Sequence, residues 1–72
     1  MNKFLLINGD NGKTIFNLNN IYEMTVMNDG TVQLITLDKG LIKFRINTLD
    51  IDNITYFLKD KNRELLELDG VE

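Results

Sequence analysis

Three groupings of carboxylates are the nearest this chain comes to catalytic or metal-binding equipment: Asp10 with Asn11, Asp50 with Asp52, and Glu67 with Asp69 and Glu72. Paired carboxylates can divide acid and base roles between them, or hold a hard cation through oxygen. None of the three reaches a motif. Asp50-Ile51-Asp52-Asn53 has the alternating oxygens of a calcium loop but lacks the glycine that follows and the bidentate Glu that closes the chelate. A turn or the start of a helix accounts for it better.

Gly9-Asp10-Asn11-Gly12-Lys13-Thr14 ends like a phosphate-binding loop, with Gly-Lys-Thr behind a strand-like run. Wrapping a phosphate takes about four residues between the glycines and a helix whose dipole faces the anion. Here only Asp10 and Asn11 intervene, and the following residues read as a strand, so a plain hairpin turn is expected. What is missing decides more. Histidine, cysteine and serine are all absent, which removes triads, thiol chemistry, ordinary zinc sites and the side chain that titrates near neutral pH. An enzyme would have to use carboxylates or lysine alone, in a pocket that so short a chain rarely encloses. No catalytic residue, cofactor or metal is assigned, and the chain reads as non-enzymatic.

Charge bounds the partners. The formal net charge is −3 and the isoelectric point about 4.7, which weakens long-range attraction to a polyanion. Lys13, Lys39, Lys43 and Arg45, with Phe44 and Tyr22, would be the residues of a small RNA- or single-stranded-DNA-binding β-barrel, the alternative reading. Strand alternation places Phe44 opposite Lys43 and Arg45, which counts against it. Residues 50–72 hold seven acids against three bases. Glu64, Glu67, Asp69 and Glu72 could imitate nucleic acid toward a basic partner, or simply solubilise a closing strand.

The elements that must carry these groups follow from apolar periodicity. Residues alternate with period two in short windows that end in Gly, Asn or Asp, the pattern of antiparallel strands joined by tight turns. Five strands are expected over 3–8, 13–18, 21–28, 31–37 and 41–46, with Gly, Asn and Asp supplying positive φ in the turns. Tyr22, Met24, Val26, Val32, Leu34, Ile42, Phe44 and Ile46 form the expected core. The first strand, Phe4-Leu5-Leu6-Ile7, has no polar face and should be central or covered by another subunit. Leu5, Ile7, Ile15, Ile35, Leu37 and Leu41 fall opposite the expected core and make the candidate partner-binding surface, with Glu64 and Glu67 as acidic candidates beside it. Covering such apolar area, by curling or by a companion, is worth about 25 cal/mol per Å².

After Ile46 two readings stand. Asn47 or Thr48 could cap a helix with Asp50 and Asp52 in its first turn and Ile51, Ile54 and Leu58 as its stripe. Against this, residues 12–19 are echoed by 40–47 at Gly, Phe and Asn, and the echo extends to 53–54 and 64–69. That favours a final hairpin turning at Asp60-Lys61-Asn62. The order of short strand, Gly-Lys turn, strand, Asn and Ile resembles the small flagellar FlbD-type proteins over the first two thirds of the chain. Those chains continue into a charged helix where this one has Ile54-Thr55-Tyr56-Phe57-Leu58, and the resemblance implies no function or residue here.

The expected fold is therefore mainly β, one domain over residues 1–72, an antiparallel meander curling into a barrel or roll, with α+β carrying a C-terminal helix as the alternative. A chain of this length buries only about 60% of its unfolded surface, and without cysteine self-association is the expected support. The expected function is a protein-interaction module, a homo-oligomer acting as a small regulator or inhibitor. Usage rich in Asn, Ile, Lys and Leu, with Ala, Pro and Trp absent, points to a phage, a mobile element or a low-GC bacterium. With no signal-like or membrane-length apolar run, the cytoplasm is the expected compartment.

Overall fold

The computed structural model describes residues 2–71. Strands β1 (Phe4–Gly9), β2 (Gly12–Asn17), β3 (Ile21–Val26), β4 (Thr31–Thr36) and β5 (Gly40–Arg45) are followed by helix α1 (Ile51–Lys59) and strand β6 (Leu65–Asp69). The class is mainly β, and the first five strands lie where alternation places them. They form two three-stranded sheets, in orders β2-β1-β6 and β3-β4-β5. β1 is central, as its lack of a polar face requires. It pairs antiparallel with β2 and parallel with β6.

Two expectations are corrected. First, the sheets do not close into a barrel. Among the described residues they share one backbone rung, between Ile46 and Gly70, made by Val71 N donating to Arg45 O at 2.8 Å, while Gly70 N donates back to Asn8 O of β1 at 2.7 Å. Side-chain packing does the rest. Leu5, Ile7, Leu66 and Leu68 of one sheet join Val32 and Leu34 of the other in a single buried cluster, and the Phe16 and Phe44 rings stack with centroids 5.8 Å apart.

Second, residues 54–68 are not a hairpin. Asn47 Oδ1 accepts from Leu49 N at 3.0 Å and starts a 3₁₀ turn over Thr48–Asp50, from which α1 continues. Its buried side is Ile54 and Phe57, with Ile51 half-buried beside them. That three-residue spacing lies on one helical face, whereas a strand would send Ile54 and Phe57 to opposite sides. Asp60 still makes a turn, its Oδ1 accepting from Asn62 N at 2.9 Å, but between helix and strand. β6 then returns beside β1 in parallel. The echo between 12–19 and 40–47 falls on two strands, each leading into a 3₁₀ turn capped by an asparagine, although the caps, Asn17 and Asn47, are not equivalent in the echo, which aligns 47 with 19. It does not extend to 54–59.

Lys3 ties the chain's start to this late helix. Its Nζ donates to Phe57 O at 2.9 Å, Asp60 O at 2.5 Å and Arg63 O at 2.6 Å, and stands 4.4 Å from the Phe57 ring centroid. All three ammonium donors are used, at the helix end where a cation is favoured.

The turns use side chains more than expected. Positive φ falls on Gly12, Gly30 and Gly40, and on no other kind of described residue. Asn and Asp instead accept backbone N–H bonds, as Asp29 Oδ1 does from Thr31 N at 2.9 Å. Gly30 is the constrained one. At φ +92 it is buried against β5, Ile46 N donates to its carbonyl at 2.9 Å, and a Cβ there would lie 2.3 Å from Ile46 O.

Gly30→Ala is expected to cost roughly 2 kcal/mol or more in urea unfolding, because it adds backbone strain to a collision. Gly40→Ala, where φ is +74 but nothing lies within 4 Å of the new Cβ, should cost about 1 kcal/mol; equal losses would contradict the close approach. Lys3→Met is expected to cost about 2 kcal/mol, with amide exchange accelerating first in α1; unchanged protection of α1 would show that Lys3 does not hold it.

Candidate functional site

Alternation sorts each sheet into an inner and an outer side. On β4, Val32 and Leu34 are fully buried, so Thr31, Gln33 and Ile35 face outward. The register then sets the outer rows: Glu23, Ile35 and Leu41 lie side by side, then Thr25, Gln33 and Lys43, then Thr31 and Arg45. Ile35 and Leu41 are 38% and 58% exposed. Leu37, just past the end of β4, is exposed as well. Three of the candidate partner-binding residues, Ile35, Leu37 and Leu41, are thus gathered at one end of one face.

The others are placed differently. Leu5 and Ile7 are buried in the core, a correction to the face assigned to β1. Their cross-strand partners Leu66 and Leu68 point the same way, and Phe4 and Leu6 lie on the opposite side, where Leu6 is still buried and Phe4 half-buried. Ile15 is exposed on the outer side of the other sheet, opposite Leu6. Glu64 precedes β6 and is exposed. Glu67 lies on the outer side of β6, where Asn8 Nδ2 donates to its Oε2 at 2.9 Å and to Asp69 Oδ1 at 3.2 Å. Glu72 lies outside the described residues.

Tyr22 was expected inside and is 78% exposed. A register shift between Ile21 and Glu23 makes a β-bulge, so Ile21 and Met24 both pack on the core and Tyr22 is turned out. The sequence signal for this is the apolar doublet Ile21-Tyr22 in an otherwise alternating strand. Tyr22 lines a shallow apolar groove between β3 and α1 with Leu18, Ile21, Glu23, Met24 and Leu58.

The chemistry-bearing candidates do not converge. Gly9 and Gly12 are paired across a two-residue turn and β2 follows, so this loop has neither the length nor the helix that cradles a phosphate. No group of three or more Asp or Glu able to hold a metal occurs among the described residues. Lys43 and Arg45 share an outer side and Lys39 is in the adjoining turn, but Lys13 is on the other sheet and Phe44 packs against the core. Phe44 is thus not available to stack a base beside these cations, and Tyr22, on the edge strand β3, is the exposed aromatic of that set.

Asp29, at the β3–β4 turn, is held below its ordinary carboxyl value of 3.8 by the backbone N–H of Thr31 first, then by the Thr31 side chain, with attraction from Arg45 a smaller contribution. A depressed native value means that the stability this carboxylate adds is present above pH 3.8 and lost as pH falls through the native value. Carbon-detected NMR titration should find Asp29 titrating below 3.8, and a value at or above the ordinary one would show that the turn contact does not persist in solution. No protein-family model, characterised protein or solved structure matches this chain.

Proposed function

We propose that this chain is a non-enzymatic protein-interaction module and that its binding surface is the outer side of the β3-β4-β5 sheet. The observation that carries the reading is the adjacent pair Ile35 and Leu41, both open to solvent on a regular sheet face, with Leu37 beyond them. Scattered apolar residues on a surface need no explanation, but side-by-side strand positions with a polar rim are the arrangement that recognition uses. Glu23, Thr25, Gln33 and Lys43 supply that rim.

A one-to-one regulatory or inhibitory role fits a small sheet face better than turnover does, and the acid, lysine and hydroxyl that line one pocket, Asp10, Lys13 and Thr14, sit at the open tip of the β1–β2 hairpin. The phage or mobile-element setting and the cytoplasmic compartment rest on residue usage and on the sequence's lack of a membrane-length apolar run. No helix among the described residues is long and apolar enough to cross a membrane.

Leu41→Lys should leave urea stability within about 0.5 kcal/mol of the parent, because the side chain is already exposed. Used as bait beside the parent in cell lysate, the variant should lose a protein that the parent retains at fixed stoichiometry, another copy of the chain included. Identical retained sets on the two baits would remove this face from the reading.

A further inference from the structure

Resting on the reading above, we propose that the outer side of the β3-β4-β5 sheet is covered by a second copy of the same chain, related by a two-fold axis that runs along β4. The arrangement of charge selects both the occupant and the axis. Across the face the strands differ in sign: β3 presents Glu23 and β5 presents Lys43 and Arg45, with the apolar step Ile35–Leu41 next to Glu23. Arg45 lies at the other end of the sheet, opposite Thr31 and near the Asp29 turn. Lys43 is the next outward position after Leu41 on β5.

Two sheets packed face to face lie about 10 Å apart with strands within about 30° of each other. A two-fold axis along β4 stacks β4 on the partner's β4 and brings β3 of each copy over the partner's β5. Ile35 then meets the partner's Ile35 near the axis. Glu23 sits above the partner's Leu41, one outward position from the partner's Lys43, about 7 Å along the strand. A glutamate and a lysine span that distance between sheets. The contact occurs twice, as any isologous contact must.

The competing two-fold, perpendicular to the strands through Ile35, puts β3 over β3 and β5 over β5. Glu23 then opposes Glu23 of the other copy, Leu41 meets Leu41, and neither Glu23 faces a basic strand. Like charges in such positions are destabilising. The axis along β4 sets Ile35 on Ile35 and brings acid within reach of base, with each Leu41 under the partner's Glu23.

Size sets the expected strength. Three strands of six residues present a face about 14 Å by 20 Å, well under the roughly 800 Å² per partner of a stable interface. The pair is therefore expected to be weak and to dissociate on dilution.

Sedimentation equilibrium of the parent, Glu23→Lys, Lys43→Glu and an equimolar mixture of these two variants tests the symmetry, with circular dichroism checking that each is folded. The parent should dimerise reversibly, and each variant alone should associate about ten-fold more weakly, because both of its contacts become like-charged. The mixture should recover association as a heterodimer, since the lysine introduced at position 23 of one chain then meets the glutamate introduced at position 43 of the other. A parent that stays monomeric to millimolar concentration, single variants that associate like the parent, or a mixture no tighter than its components would each overturn the two-fold pair. A monomeric parent that still holds a different protein through Leu41 would overturn it and leave the interaction module standing.

Discussion

A nine-residue helix does not persist alone in water, and α1 exists because the rest of the molecule gives it a floor and a stop. Ile54 and Phe57 are the floor, buried among Leu5, Val32, Leu34 and Leu66. Lys3 is the stop, gathering three carbonyls at the helix's end and after it while lying on the Phe57 ring. The position of β6 depends on that anchoring. Once the helix is fixed near the start of β1, the chain can enter beside β1 only in the same direction, and Phe4 N meets Glu64 O at 2.7 Å as the first bond of the parallel ladder. Without the helix, β1 would have an uncovered edge and the core would lose Leu66 and Leu68.

That dependence explains which parts of the fold were legible from residue order. The five strands before Ile46 are set by local alternation and by Gly, Asn and Asp turns, and they stand where the pattern puts them. The last third is decided by distant partners. Tyr56, Phe57 and Ile54 all favour strands, yet they are helical because burying Ile54 and Phe57 together against the two sheets outweighs a propensity worth a few tenths of a kcal/mol per residue. The bulge at Tyr22 and the burial of Leu5 and Ile7 escape the pattern for the same reason: a strand with apolar residues on both sides does not declare which side is inward.

The candidate surface was legible in part. Ile35, Leu37 and Leu41 were selected as the wrong side of otherwise core-facing strands, and the register brings them together. Ile15, on β2, could not be separated from them without knowing that two sheets, rather than one curled ribbon, divide the chain. The acids Glu64 and Glu67 belong to that other sheet too. Sequence alternation assigns a residue to a side, but only strand order says which sides are shared.

The rung at Ile46 and Gly70, alone among the described residues, has a mechanical meaning. A continuous ladder would convey any shift in one sheet's twist stiffly into the next, whereas here the two leaves are bound almost wholly by interleaved side chains, like pages held by friction rather than stitching. The leaf bearing Ile35 and Leu41 therefore keeps its place by the fit of Val32 and Leu34 against Leu5, Ile7, Leu66 and Leu68, and anything that bends it must repack those side chains.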